Sequence, residues 1–149
     1  MRKLYTALKL DVPHPITGEK KLWMPMLRVW LGRGHVKARA PIMAYVDSGS
    51  PFSLFRADLA GWIGINDITT GKPAEMGGIK AGARDMSYFH RIKLYIETEW
   101  LVEVWAGFSP SLSVAGLLGQ NGFFDNFRVT LDHAVNPPSI EVTKIDKIQ

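Results

Sequence analysis

The stretch Ile42-Met43-Ala44-Tyr45-Val46-Asp47-Ser48-Gly49-Ser50-Pro51-Phe52-Ser53-Leu54-Phe55 decides how the rest of the chain is read. Its first five residues are apolar or aromatic and strand-forming, and they run directly into an acid at Asp47. Gly49 supplies a tight turn and Ser48 and Ser50 place two hydroxyls beside the carboxylate. A carboxylate set where a buried strand stops is held rigidly and hydrogen-bonded, yet stays within reach of a substrate. Pro51 restricts Ser50 to an extended conformation, and residues 52–55 are expected to return as a short strand.

Two later segments bear on that acid. Ala74-Glu75-Met76-Gly77-Gly78-Ile79 is glycine-rich, and residues 70–83 read as a long hairpin tip or loop. Ala115-Gly116-Leu117-Leu118-Gly119 carries an apolar pair into a glycine, echoing the approach to Asp47, and Phe127-Arg128-Val129-Thr130-Leu131-Asp132 follows as a strand. Taken in order, the Asp-Ser-Gly-Ser segment, the glycine-rich segment and the second apolar-glycine segment resemble the retropepsin-like aspartic proteases over residues 24–132. The resemblance implies an all-β fold, a retropepsin-like closed β-barrel or sandwich with a flap hairpin and one or two short helices.

It also implies roles. Asp47 is the expected catalytic acid, Ser48 the hydroxyl that braces the opposite loop across a dimer interface, and Gly49 the backbone N–H that holds the carboxylate. Met76, Gly77, Gly78 and Ile79 are the expected flap over a peptide, and Val46, Leu54, Ile79, Leu117 and Leu118 the expected pocket walls. Gln120 stands where retroviral members often have arginine. The chain termini, residues 2–10 and 139–145, are candidate dimer interface.

Peptide hydrolysis by carboxylates requires two acids at one site, one protonated and one ionised. The chain has a single Asp-Ser-Gly, and Asp58, Asp67, Asp85, Asp125 and Asp132 lack its apolar lead-in. A homodimer that contributes Asp47 twice across a two-fold axis resolves the count. The expected function is therefore an aspartic endopeptidase acting on a peptide or protein substrate. The alternative is a non-catalytic retropepsin-fold peptide-binding or assembly module.

Bulk properties narrow the field. At 149 residues the chain is expected to be one domain, with residues 1–23 as an N-terminal strand and loop extension and 136–149 as a C-terminal strand or tail. Hydrophobic residues make up 46% and charged ones 21%, which excludes a disordered or fibrous chain. The absence of cysteine removes disulfide scaffolds and thiol nucleophiles. The four histidines are dispersed without metal-ligand spacing, so neither metal nor other cofactor is expected. The net charge of +4 comes from basic residues at alternate strand positions, which read as a solvated face and not as a specific nucleic-acid site. Lys9 and Asp11 interrupt the N-terminal apolar run, and no segment has the length of a membrane span, so a cytoplasmic protein without membrane contact is expected.

Local patterns complete the expectations. Residues 2–10 read as a strand, 26–31 and 35–40 as a hairpin about Gly32-Arg33-Gly34, and 91–97 and 100–108 as strands of strict alternation. Leu59, Trp62 and Ile63 suggest a short helix within residues 56–63 that buries all three. Phe123, Phe124 and Phe127, at i, i+1 and i+4, suggest a second helix over 121–127 that begins near Asn121.

Overall fold

The structure is a computed structural model that describes residues 1–76 and 85–147. Strands dominate, and the chain divides into two compact units, one made of both chain ends (Met1–Met26 with Asn126–Gln149) and one of the middle (Leu27–Asp125).

The middle unit is built on β4 (Met26–Arg33), β5 (Val36–Lys37), β6 (Ile42–Val46), β7 (Leu54–Arg56), β8 (Lys72–Glu75), β9 (Met86–Ile96), β10 (Trp100–Ser109) and β11 (Gly116–Leu118). Their order in the sheet is β5-β4-β6-β11-β7-β10-β9-β8, and β4 pairs with β9 as well. That extra pairing closes β4, β6, β11, β7, β10 and β9 into a six-stranded barrel, with β5 and β8 hanging outside it. Closure leaves the six strands no unpaired edge.

Alternation explains which residues fill the barrel. Ile42, Ala44 and Val46 of β6 are buried, and so are Ile92, Leu94 and Ile96 of β9. Register then stacks these side chains in rows: Leu31 and Val102 flank Leu94, Val29 adjoins Ile96, and Val104 adjoins Ile92. Each such fully buried aliphatic side chain contributes about 1.5–3 kcal/mol relative to exposure.

A 3₁₀ helix over Ala57–Ile63 follows β7 and ends at Gly64, whose φ of 83° is left-handed. It buries Leu59, Ala60 and Ile63, while Trp62 points outward and is 46% exposed. The expected burial of Trp62 is therefore wrong: the inner face of this helix is made by Leu59, Ala60 and Ile63.

Other expectations also change. The hairpin after β4 turns at Gly34 and His35, since Arg33 pairs with Val36. Residues 72–75, read as loop from their composition, form β8 because the long strand β9 offers them a partner from Met86 to Phe89. No helix forms over 121–127. Gly122 has a φ of 101°, and the Phe124 and Asp125 N–H groups donate to the carbonyls of Gly119 and Gln120, so the segment is a compact turn. Phe123 is fully buried there without helical geometry.

The terminal unit contains β1 (Arg2–Leu4), β2 (Thr6–Lys9), β3 (Lys21–Met24), β12 (Phe127–Asp132) and β13 (Ser139–Lys144). β13 lies between β1 and β12 in an antiparallel three-stranded sheet, and β2 and β3 form a separate hairpin. The expected single strand over residues 2–10 is broken at Tyr5, which is buried and donates its N–H to the Pro138 carbonyl. Its hydroxyl meets His133 Nε2 at 3.0 Å. Phe127, Ile140 and Val142 complete this core. Among the described residues, no helix is long and apolar enough to cross a membrane.

Candidate active site

Asp47 sits where β6 ends, and parallel pairing of β6 with β11 places a second turn beside it. Ala44, Tyr45 and Val46 register with Gly116, Leu117 and Leu118, so the residues after each strand, Asp47 and Gly119, emerge side by side. The similar lead-in sequences thus become neighbours. Asp47 is clamped through its backbone: its N–H donates to the Leu118 carbonyl at 2.9 Å, and its own carbonyl accepts from the Ser50 N–H at 3.2 Å.

The carboxylate is held from within the loop. Asp47 Oδ1 accepts from the Gly49 N–H at 3.0 Å, the relation expected of Gly49. Asp47 is half-buried, whereas Ser48 and Gly49 are exposed. A hydrogen-bonded carboxylate that stays open to solvent suits an acid that exchanges protons with water.

The turn after β11 braces this loop at successive positions. Gln120 donates its side-chain amide to the Ser48 carbonyl at 2.8 Å and its backbone N–H to the Ser50 carbonyl at 2.9 Å. Asn121 donates both its backbone N–H and its Nδ2 to the Pro51 carbonyl, at 3.0 and 2.7 Å. Ser53, fully buried, accepts the Gly119 N–H on its hydroxyl at 3.1 Å and donates its own N–H to the Asn121 carbonyl at 3.0 Å. A Cβ on Gly119 would press against the Phe52 and Ser50 carbonyls, so only glycine permits this approach. Asn121 and Ser53 had drawn no functional reading, although a serine inside the apolar run 52–55 and a Gln-Asn pair straight after a glycine were the available signals.

Asp58, Asp67, Asp125 and Asp132 have other work. The Arg56 guanidinium grips Asp58 with two hydrogen bonds and holds its carboxyl below the usual range. Asp67 accepts from the hydroxyl and N–H of Thr69, which lower it likewise. Asp125 accepts the Gly122 N–H, and Asp132 the Ala134 N–H. Among the described residues no group of His, Asp or Glu is arranged to hold a metal ion.

The flanking walls differ from expectation. Val46, Leu54 and Leu118 belong to the core, and only Leu117 of that set is half-buried. Met76 donates its N–H to the Asp85 carbonyl at 2.7 Å and so continues the β8–β9 hairpin; Gly77, Gly78 and Ile79 lie outside the described residues. At the base of that hairpin an almost wholly apolar cavity of about 310 Å³ is formed by Pro73 and Ala74 of β8, Phe89, Trp105 and Phe52, the last on the loop that carries Asp47. Phe52 and Phe89 meet edge to face with ring centroids 5.1 Å apart, and Lys72 Nζ lies 4.5 Å from the Trp105 ring centroid.

Among solved structures, the chain is similar to the retroviral protease-like domain of Ddi1 from Leishmania major, with a TM-score of 0.51 over 82% of this chain and 95% of that domain. The fold is retropepsin-like. Sequence identity is 15%, so the likeness is one of architecture. No family model and no curated protein matches the sequence.

Proposed function

We propose that the chain is an aspartic endopeptidase of retropepsin type, active as a homodimer in which each subunit supplies Asp47. The observation that carries this reading is the clamped, half-exposed Asp47 carboxylate at the paired ends of β6 and β11, in a fold similar to a retroviral protease-like domain. In such a pair one carboxyl acts in its protonated form and the other in its ionised form. The ionised member takes a proton from water as the water oxygen bonds to the peptide carbonyl carbon. The protonated member gives its proton to the carbonyl oxygen. The resulting gem-diol collapses as the carboxyl that took the water proton gives it to the leaving nitrogen and the other carboxylate takes a proton from one gem-diol hydroxyl, so the C–N bond breaks to leave a carboxylic acid and a free amine.

Substrate is a peptide in extended form, and Met76, Gly77, Gly78 and Ile79 are the residues assigned to cover it. The apolar cavity lined by Phe52 and Phe89 favours an aromatic or branched aliphatic side chain near the scissile bond. Asp47→Asn is expected to abolish cleavage of a peptide library at acidic pH while leaving the circular dichroism spectrum unchanged. Undiminished cleavage by that variant overturns the reading.

A second reading, a non-catalytic peptide-binding module, is favoured by one feature. β13 is hydrogen-bonded on both sides, by β1 and β12, so that terminal strand has no open edge for a partner. Sedimentation as a monomer at high concentration, together with binding of uncleaved peptide, supports this alternative.

A further inference from the structure

Ser50 donates its N–H to the Asp47 carbonyl at 3.2 Å, so residues 47–50 form a β-turn with Ser48 and Gly49 at its centre. The two common forms of such a turn differ by a rotation of the central peptide through about 180°. The rotated form, type II, places the third residue, here Gly49, at positive φ, which glycine adopts without steric cost. Gly49 nevertheless lies outside the left-handed region. The turn residues admit both orientations of the peptide, and the surroundings choose one.

Two hydrogen bonds make that choice. The N–H of the central peptide, from Gly49, donates to Asp47 Oδ1 at 3.0 Å, and its carbonyl, from Ser48, accepts the Gln120 side-chain amide at 2.8 Å. Rotation breaks both bonds, and it swings the carbonyl oxygen to the side of the carboxylate, where the oxygens repel. Packing adds little restraint, because Ser48 and Gly49 are exposed. The Gln120 bond also acts along the peptide: a donor on the carbonyl polarises the unit and strengthens its N–H by about 10–30%. Gln120 is thus linked to Asp47 through one peptide. Its backbone N–H makes a separate bond to the Ser50 carbonyl at 2.9 Å, which any residue but proline retains, so the part of the side chain is separable from the brace.

We propose that Gln120 is a positioning residue: its side-chain amide holds the Ser48–Gly49 peptide in the orientation that aims an N–H at Asp47, and so directs the carboxylate during hydrolysis. The effect on hydrolysis rests on the reading of Asp47 as the catalytic acid; the hold on the peptide does not.

Amide hydrogen exchange of the full chain, followed residue by residue by NMR at neutral pH, tests the hold without reference to catalysis. Gln120→Met keeps the length of the side chain and removes its donor, and Gln120→Lys restores a donor. Gln120 is exposed, so both leave the core intact. Exchange at Gly49 is expected to quicken about fivefold in Gln120→Met, the factor that one ordinary hydrogen bond supplies, and to return toward the wild-type rate in Gln120→Lys. The Ser53 and Asn121 N–H groups, which belong to the brace, are expected to exchange at unchanged rates. Equal exchange at Gly49 in wild type and Gln120→Met overturns the proposal, as does an equal quickening at Ser53 and Asn121, which marks general loosening. With a peptide that the wild type cleaves, Gln120→Met is expected to lower kcat about fivefold at unchanged KM, and Gln120→Lys to recover it. An unchanged kcat in Gln120→Met overturns the positioning role. A wild type that cleaves nothing overturns the protease reading instead, and exchange at Gly49 still decides the hold.

Discussion

Replacing Gly119 by alanine tests the brace beneath Asp47 directly. The added Cβ falls against the Phe52 carbonyl oxygen, 2.6 Å from the carbon that bears it and 2.7 Å from the Ser50 carbonyl oxygen. These are backbone atoms, so no side-chain rotation relieves the clash. A carbon rests at about 3.3 Å or more from a carbonyl oxygen, so the two turns must separate by roughly 1 Å. That movement stretches three hydrogen bonds now at 2.9 to 3.1 Å: Gly119 to Ser53 Oγ, Gln120 to the Ser50 carbonyl and Asn121 to the Pro51 carbonyl. At about 1 kcal/mol each they account for about 3 kcal/mol. Residual overpacking adds roughly 1–2 kcal/mol. The expected loss of about 4–5 kcal/mol is a large part of the stability of a typical domain, about 5–15 kcal/mol. Urea unfolding, read by fluorescence with the m-value held as a check on two-state behaviour, measures it. Gly61→Ala is the companion, since nothing lies within 4 Å of its added Cβ; it is expected to change stability by under about 0.5 kcal/mol. A loss below about 1 kcal/mol for Gly119→Ala refutes the close approach of the two turns.

Two further outcomes follow from local geometry. Glu97→Ala is expected to destabilise more than Glu97→Gly, by about 1 kcal/mol, since both lose the hydrogen bonds that the Glu97 carboxylate accepts from Arg28 but only glycine relieves its left-handed backbone, at a φ of 50°; equal midpoints in urea contradict this. Asp67 has a depressed folded-state pKa, so its contribution is present above the unfolded value of about 3.9 and is lost as pH falls through the lower folded value. Asp67→Asn is accordingly expected to lower stability slightly at neutral pH and leave it unchanged at strongly acid pH, so that the acid limb flattens, an effect kept small by the group's full exposure; an equally steep acid limb in that variant contradicts this.

The approach to Asp47 was legible because β6 obeys a two-residue period, with Ile42, Ala44 and Val46 buried in turn. The strands β9 and β10 were legible for the same reason; β10 kept its expected bounds to one residue, whereas β9 begins at Met86, five residues before the expected start at Arg91. The parallel pairing of β6 with β11 was not, since it joins segments some seventy residues apart and no local pattern encodes a partner. The similar run-ups to Asp47 and Gly119 hinted at a relation without giving its geometry. The segment 121–127 misled because i, i+1, i+4 apolar spacing suits a helix, yet Gly122, at positive φ, opens a turn that buries Phe123 as well. At the site, the Gly49 contact to Asp47 was foreseen from resemblance. The polar ties from Gln120, Asn121 and Ser53 were not, because hydrogen bonds to carbonyls leave no periodic trace in sequence.

The terminal sheet sets an order on synthesis. The Met1 ammonium donates to the Val142 carbonyl, and the Val142 N–H returns a bond to the Met1 carbonyl, across 141 positions of chain. On a ribosome the first strand is therefore made long before its partner exists. The hairpin of β2 and β3 pairs locally and can assemble early, whereas β1 must wait until β13, far along the chain, has emerged. Such distant closure is slow relative to local pairing, so this sheet is completed after the barrel strands of the middle unit have been made.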